Sequence, residues 1–373
     1  MSFIPVNEPD LTGNEQKYVL DAVASGWVST GSYVTRFEKE FAEFAGTRFA
    51  ISTTSGTAAL QLAFAALGLG PQDEVIIPAL TIVATAFGVC YGGSKPVLVD
   101  AEPDTGNLDP ALIERKINRR TRAIVPVHLY GHPCDMDPIR EIAARYRLAV
   151  VEDAAEAHGA RYRGRPAGSL GDLNCFSFYA NKIVTTGEGG MITTNDEVLA
   201  ERIRRMKDLC HSPQKRFIHT DVGFTLRMTN MQAALGVAQL ERVDQFILHK
   251  RRMAAIYAEL LSDVEGLTLP MERPEVESVY WMYAVRIGPE FGCSRDEVMR
   301  RLREKGVDTR SYFYPMHVQP VFLQMGLFGG ESYPVAERLS AEGMYLPSGL
   351  TLKRCQQERV AEALRDVQRE VRA

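Results

Sequence analysis

The sequence predicts an α/β protein with a mostly parallel sheet covered by helices on both sides. Short runs such as "DEVIIPAL", "KPVLVDAEP", "TRAIVPVHLYG" and "LAVVED" are apolar on both faces, as strands buried between two layers must be. Helical patterns such as "MDPIREIAARYR" separate them, which lets successive strands run in the same direction. At 373 residues the chain is long for one core, so two domains are expected. Residues 1–250 read as a large domain with an N-terminal segment, and 251–373 as a smaller C-terminal α/β domain.

The elements follow in order. "NEQKYVLDAVASG" is an amphipathic helix ending at Gly26, and "SYVTRFEKEFAEFAG" is another ending at Gly46. "FAISTTSGTAALQLAFAALGLG" gives a short strand, a polar turn and a helix stopped at Gly68. "TIVATAFGVCYGG" is helical between two of the apolar runs. Beyond Gly190 the pattern changes: "NDEVLAERIRRMKD" is a charged helix. "TNMQAALGVAQLERVDQFILHKRRMAAIYAELL" reads as one long helical stretch suited to bridging two domains. From about Val264, "LTLPMERP", "YWMYAVRI", "SRDEVMRRLREKG" and "QQERVAEALRDVQREVR" suggest the smaller domain.

Composition narrows the function. A net charge of -4 without a basic stripe argues against nucleic acid as a partner. No apolar run approaches a membrane span, and "MSFIPVNEPDLTGNEQ" lacks the regions of a signal peptide. Six scattered cysteines without a C-x-x-C pair fit reduced thiols in the cytoplasm.

In an open parallel sheet, ligands sit outside the carboxyl ends of the strands, and that rule selects three features. In "TTSGTAAL", Ser55, Gly56 and Thr57 follow a strand and open a helix. Free N–H groups and the helix dipole there suit an anion, although a plain helix cap explains the same residues. Asp153 ends "LAVVED", and "AAEAHG" adds Glu156 and His158 within one turn. Zinc would need a further ligand cluster, and none with suitable spacing lies nearby, so no metal is expected. Lys182 follows "FSFYAN", with Ser177 five residues before it. Alone it would be a surface lysine lying along apolar residues with its charge in water. Together, a phosphate cradle, a carboxylate and a strand-end lysine are the parts that a pyridoxal phosphate enzyme needs. No G-x-G-x-x-G marks a dinucleotide site.

At this point the sequence resembles the sugar aminotransferases of the DegT/DnrJ/EryC1/StrS group. The likeness runs through "GWVSTGSYVTRFEKEFAEFAG", "SGTAALQLAFAALGLGPQDEVIIP", "PVLVDAEPDTGNLDP", "VEDAAEAHGA", "GDLNCFSFYANKIVTTGEGGMITTND", "LRMTNMQAALGVAQLE" and "LPSGL". Within the group, "NKIVTTGEGG" and "VHLYGHPCDMDPI" look most like the GDP-perosamine synthase branch. That branch aminates the 4-keto group of GDP-4-keto-6-deoxymannose.

The resemblance implies an aspartate-aminotransferase-like (type I) fold, pyridoxal 5'-phosphate as cofactor and L-glutamate as amino donor. It implies a homodimer with shared active sites. Lys182 matches the lysine that bonds to the cofactor, and Asp153 the partner of its ring nitrogen. Glu156 matches the group near the 3-hydroxyl, and Ser55, Gly56, Thr57 and Ser177 the phosphate site. His317 and the stretch from Trp27 to Gly31, with Thr30 in it, would lie near the sugar nucleotide. Two positions depart from the pattern. Ile82 stands where relatives usually carry an aromatic stacked on the ring. Thr225 stands where they usually have an Asn reaching the partner subunit's phosphate. The nucleotide stays open at this point, as does C4 against C3 amination, with a UDP- or dTDP-linked sugar as the alternative. A sugar dehydratase carries His at the lysine position, which Lys182 opposes. A non-catalytic cofactor-binding protein and a nucleotide-sugar reductase are the remaining rivals.

Overall fold

In the computed structural model, which describes residues 3–373, seven strands form the main sheet. They are β1 (Phe49–Thr53), β2 (Glu74–Pro78), β3 (Lys95–Val99), β4 (Thr121–Ile124), β5 (Ala149–Asp153), β6 (Leu173–Ser177) and β7 (Gly190–Thr194). Their spatial order is β1-β7-β6-β5-β4-β2-β3. The strands from β6 across to β3 pair in parallel, whereas β7 runs antiparallel to both β6 and β1. The connection 178–189 holds no helix, so the chain doubles back there as a hairpin does.

Helices α1 (Glu15–Ala24), α2 (Ser32–Ala45), α3 (Gly56–Ala66), α4 (Val83–Tyr91), α5 (Met136–Tyr146), α6 (Glu197–Met206), α7 (Asn230–Leu240) and α8 (Val243–Leu261) surround this sheet. Alternate strand residues feed opposite layers, as the pleat requires. Val75 and Ile77 pack into the core shared with α2, α3, α4, α6 and α7, while Ile76 packs under α5 with Ile139 and Ile142. The helix stops expected at Gly26, Gly46 and Gly68 hold. Each has a positive φ, of 74°, 69° and 73°, that a side chain would resist.

The helical stretch from residue 230 is two helices rather than one. It breaks at Glu241–Arg242, where Arg242 leaves helical geometry (φ -116°, ψ 4°) and its guanidinium pairs with Asp10 at 2.8 Å. The second of the two helices does bridge. Val243 and Phe246 of α8 pack in the large core, and Met253, Tyr257 and Leu261 in a second core.

That second core lies under a four-stranded antiparallel sheet: β8 (Leu267–Thr268), β9 (Tyr283–Ile287), β10 (Arg310–Ser311) and β11 (Gly343–Leu346), ordered β8-β9-β11-β10. Helices α9 (Arg295–Glu304) and α10 (Arg354–Arg372) close it. Ile4 joins this core too, its backbone bonded to Gly306 and Asp308 at 2.9 Å each. A division at residue 250 therefore falls inside α8, and the N-terminal segment returns to the smaller unit.

Aromatic packing braces β6, the strand that leads to Lys182. The Phe41 ring meets Phe176 at 4.9 Å and Phe178 at 5.2 Å between centroids, edge to face. Phe41 is fully buried. Phe41→Ala is expected to cost about 3–5 kcal/mol, the usual price of emptying an aromatic site. Urea unfolding should show a lower midpoint at unchanged slope.

Candidate active site

The carboxyl ends of β1, β5 and β6 meet along one edge of the sheet, because those strands run the same way. A cavity of ≈ 280 Å³ opens there. Ser55, Gly56 and Thr57 line it from the β1–α3 turn, Asp153 and Glu156 from the end of β5, and Ser177 and Lys182 from the end of β6. The structure thus brings together seven groups that lie far apart in the chain.

The β1–α3 turn is both a helix cap and an open anion cradle. Ser55 Oγ accepts the Ala58 N–H at 3.1 Å, while Gly56 and Thr57, whose amides open α3, line the cavity. Gly56 is required by close packing. A Cβ there would stand 2.7 Å from the Cβ of Ser177.

Three ionisable groups face one another in little water. Asp153 Oδ2 accepts from Thr85 Oγ1 at 2.8 Å, and Oδ1 from the Ala155 N–H at 3.2 Å. Burial nevertheless raises its pKa above the ordinary carboxylate value. Glu156 is pushed up to about 7 by burial, against the pull of Lys182. Its Oε2 accepts the Tyr130 N–H at 2.8 Å, an amide aimed inward by the left-handed backbone of Tyr130 (φ 53°). His158, beside them in sequence, packs between Phe176 and Phe178, and burial holds it neutral with a pKa down to about 3.

Lys182 completes the set. Its Nζ lies 3.7 Å from Glu156 Oε1, the outer limit of an ion pair, and 3.8 Å from the centroid of the Trp281 ring. Burial lowers its pKa, and the two carboxylates only partly offset this. An amine so placed has a larger uncharged, nucleophilic fraction near neutrality than a surface lysine. The Trp281 indole N–H donates to Asn181 O at 2.7 Å, which pins the ring beside the lysine.

Four of the expected site residues do not reach this cavity. His317 is turned away from it: its ring packs on Tyr333 and its Nε2 bonds the Glu337 carboxylate at 3.0 Å. Trp27 and Thr30 are exposed, on the loop before α2, and Thr225 is exposed at the end of the 207–225 segment, bridged to Asp208. Other residues are at the site without having been expected there. Thr85 holds Asp153, Tyr130 holds Glu156, and Trp281, Phe313 and Tyr345 form the wall contributed by the smaller unit. The strand-end rule that selects Asp153 also points to "HLY" after β4. No local signal marks Trp281, which arrives from about a hundred residues further on.

The pattern of the DegT/DnrJ/EryC1/StrS aminotransferase family matches residues 9–365. The chain belongs to this family. A GDP-perosamine synthase from Caulobacter vibrioides is 46% identical over 98% of each chain. A dTDP-3-amino-3,4,6-trideoxy-alpha-D-glucose transaminase from Streptomyces venezuelae is 39% identical over 92% of this chain and 89% of its own. Among solved structures, a Streptococcus pneumoniae protein described as a sugar aminotransferase, in its PLP form, superposes with a TM-score of 0.93 at 27% identity and covers 99% of each chain. The fold is the type I fold of pyridoxal-phosphate transferases, and the chain is a pyridoxal-phosphate-dependent nucleotide-sugar aminotransferase. No helix among the described residues is long and apolar enough to cross a membrane.

The residues present fit that family cofactor. Ser55, Gly56 and Thr57 line the cavity at the N-terminus of α3, where first-turn amides and the helix dipole suit a phosphate. Asp153 is a buried carboxylate hydrogen-bonded only by neutral groups, so a cationic ring nitrogen would relieve its desolvation. Ile82, at the cavity edge, offers an apolar face in place of an aromatic one.

Glu156 gives a signed test. Its carboxyl titrates near 4.5 when unfolded and near 7 in the folded, cofactor-free chain, so folding favours the protonated form. Its contribution is complete below pH 4.5 and is lost as pH rises through 7. Glu156→Gln should therefore gain stability over the parent across that window and keep a constant advantage above it. Urea unfolding of the cofactor-free chain at stepped pH checks this, and a difference independent of pH would contradict it.

Proposed function

We propose that this enzyme aminates C4 of GDP-4-keto-6-deoxymannose to give GDP-perosamine, taking nitrogen from L-glutamate. The observation that carries the reading is the desolvated Lys182 amine facing Glu156, Asp153 and the N-terminus of α3 across one cavity. The near-full-length similarity to the Caulobacter vibrioides enzyme supports the choice of substrate. The similarity to the Streptomyces venezuelae transaminase keeps a dTDP-linked keto sugar as the second candidate.

Each residue has a part. Lys182 Nζ would hold the cofactor through a covalent bond, which its partly desolvated amine is suited to form. When bound, pyridoxal phosphate supplies a sink for the electron pair left as a C–H bond breaks. Lys182 Nζ then takes the proton from the α-carbon of glutamate, and in the return half delivers a proton to C4 of the sugar. Asp153 would pair with the cofactor's ring nitrogen, and Glu156 would lie near its 3-hydroxyl. Ser55, Gly56, Thr57 and Ser177 bind the phosphate.

The assembly we infer is a homodimer in the cytoplasm. Trp27, Thr30 and Thr225 are exposed in one copy and do not line its cavity, which suits residues that complete the cavity of a second copy. In that arrangement Thr225 donates its hydroxyl to the partner's phosphate site.

Incubation with glutamate and a panel of GDP-, UDP- and dTDP-keto sugars tests the substrate. The amino product is expected from the GDP sugar first, and preferred turnover of another nucleotide would overturn the choice. Asp153→Asn should keep the cofactor but slow single-turnover proton removal on the order of 10²-fold or more, the scale of losing one charge-stabilising group. Thr225→Val should weaken cofactor binding by about 1 kcal/mol, the net worth of one hydrogen bond. Sedimentation with cofactor titration reads that change together with the oligomeric state.

A further inference from the structure

Lys250 is the most deeply buried cation of the chain's interior that the transamination reading does not use. It is 1% exposed, on α8 between the residues that feed the two cores. No carboxylate among the described residues pairs with it. Its Nζ instead donates to Trp281 O at 2.9 Å and, by a shorter contact, to Ser348 O. Burial draws its pKa down to about 7. Its hydrogen-bond partners here are two neutral backbone carbonyls. Leaving two backbone carbonyls dry without donors is costly, so an amine in this place ties down both chains.

The two chains matter to the site. Ser348 belongs to the turn that binds the N-terminal segment, its N–H donating to Val6 O at 2.8 Å. The next residue, Asn7, donates from Nδ2 to Asn181 O at 2.7 Å. Trp281 donates from its indole nitrogen to that same carbonyl, and its ring runs near-parallel to Tyr130, 12° off at 6.3 Å between centroids. Lys182 Nζ stands 3.8 Å from the centroid of the same indole. Tyr280, just before Trp281, is held in the left-handed region (φ 46°), a strained conformation that persists only where its surroundings enforce it.

We propose that Lys250 is a positioning residue for Lys182, acting through Trp281, whose backbone carbonyl it holds so that the indole stays against the reactive amine. A ring face held there attracts the amine when it is charged and blocks it from swinging toward the smaller unit. Between bond-making steps the released amine thus stays over the cavity, where the proton must be moved. The proposal rests on the role given to Lys182, and it touches neither substrate nor cofactor directly.

The test uses fluorescence, because the sequence holds two tryptophans, Trp27 and Trp281, and Trp27 is exposed. In a full-length Trp27→Phe chain stripped of cofactor, emission comes from Trp281 alone. Lys182→Met should change that emission. Adding Lys250→Met should remove most of the change, since the ring is then no longer held on the amine. In the holoenzyme, Lys250→Met should lower kcat about tenfold while KM for glutamate stays within about twofold, the signature of lost positioning rather than lost binding. The loss should shrink in a Trp281→Leu background, where the link is already cut. Should Lys250→Met fail to fold, Lys250→Gln keeps a donor for one carbonyl and should give an intermediate result. Emission coupling that persists without Lys250, or kcat unchanged, would overturn the proposal. So would a chain that folds with neither replacement, because Lys250 would then serve the fold alone. A failure of the pyridoxal reading looks different: transamination would survive Lys182→Ala with the emission coupling intact.

Discussion

The desolvation of the Lys182 amine is the constraint on which the rest of the structure depends. An amine in water near neutrality is almost wholly protonated and a poor nucleophile. Beside Glu156 at 3.7 Å and under Trp281 at 3.8 Å, it is neither fully paired nor fully hydrated. That state lasts only if the surroundings are rigid enough to hold water out and charges apart. The sheet supplies the rigidity on one side, through β5 and β6, and the smaller unit supplies the lid on the other, through Trp281, Phe313 and Tyr345.

Charge balance in the cavity follows from the same constraint. Burial raises the pKa of Asp153 and Glu156, lowers that of Lys182 and holds His158 neutral, so each charged form in the cavity is less stable than it would be in water. A cofactor bringing a phosphate, a ring nitrogen and an aldehyde would find a complement for each. The phosphate would meet the open end of α3, the nitrogen Asp153, and the aldehyde Lys182. Such a site is preorganised: its groups are desolvated by the fold before anything binds.

The large domain was readable because its signals are local. Apolar runs bounded by glycine, proline and acidic residues became β1 to β6, and Gly26, Gly46 and Gly68 ended the helices that they were expected to end. Asp153 and Ser177 stand at strand ends, and Lys182 in the connection just beyond β6, where topology alone says ligands gather. Other features had no local trace. The break between α7 and α8 is made by Arg242 reaching Asp10, more than two hundred residues away, and helical periodicity runs straight through it. The return of Ile4 to the smaller unit is a long-range pairing of the same kind. Trp281 sits in a run that reads simply as a strand, and only the folded chain lays its ring on Lys182. His317 is another case. Its place in the sequence gives no hint that its ring would pack on Tyr333 and bond Glu337, because both partners come from a helix start further along the chain.

The central claim is that one amine, at Lys182, holds the cofactor. Borohydride reduction of the holoenzyme fixes the cofactor to whichever lysine carries it, and peptide mapping by mass spectrometry locates the adduct. The account predicts a single modified peptide containing Lys182. An adduct on Lys207 or Lys250, or bound cofactor that resists reduction onto any lysine, would contradict it.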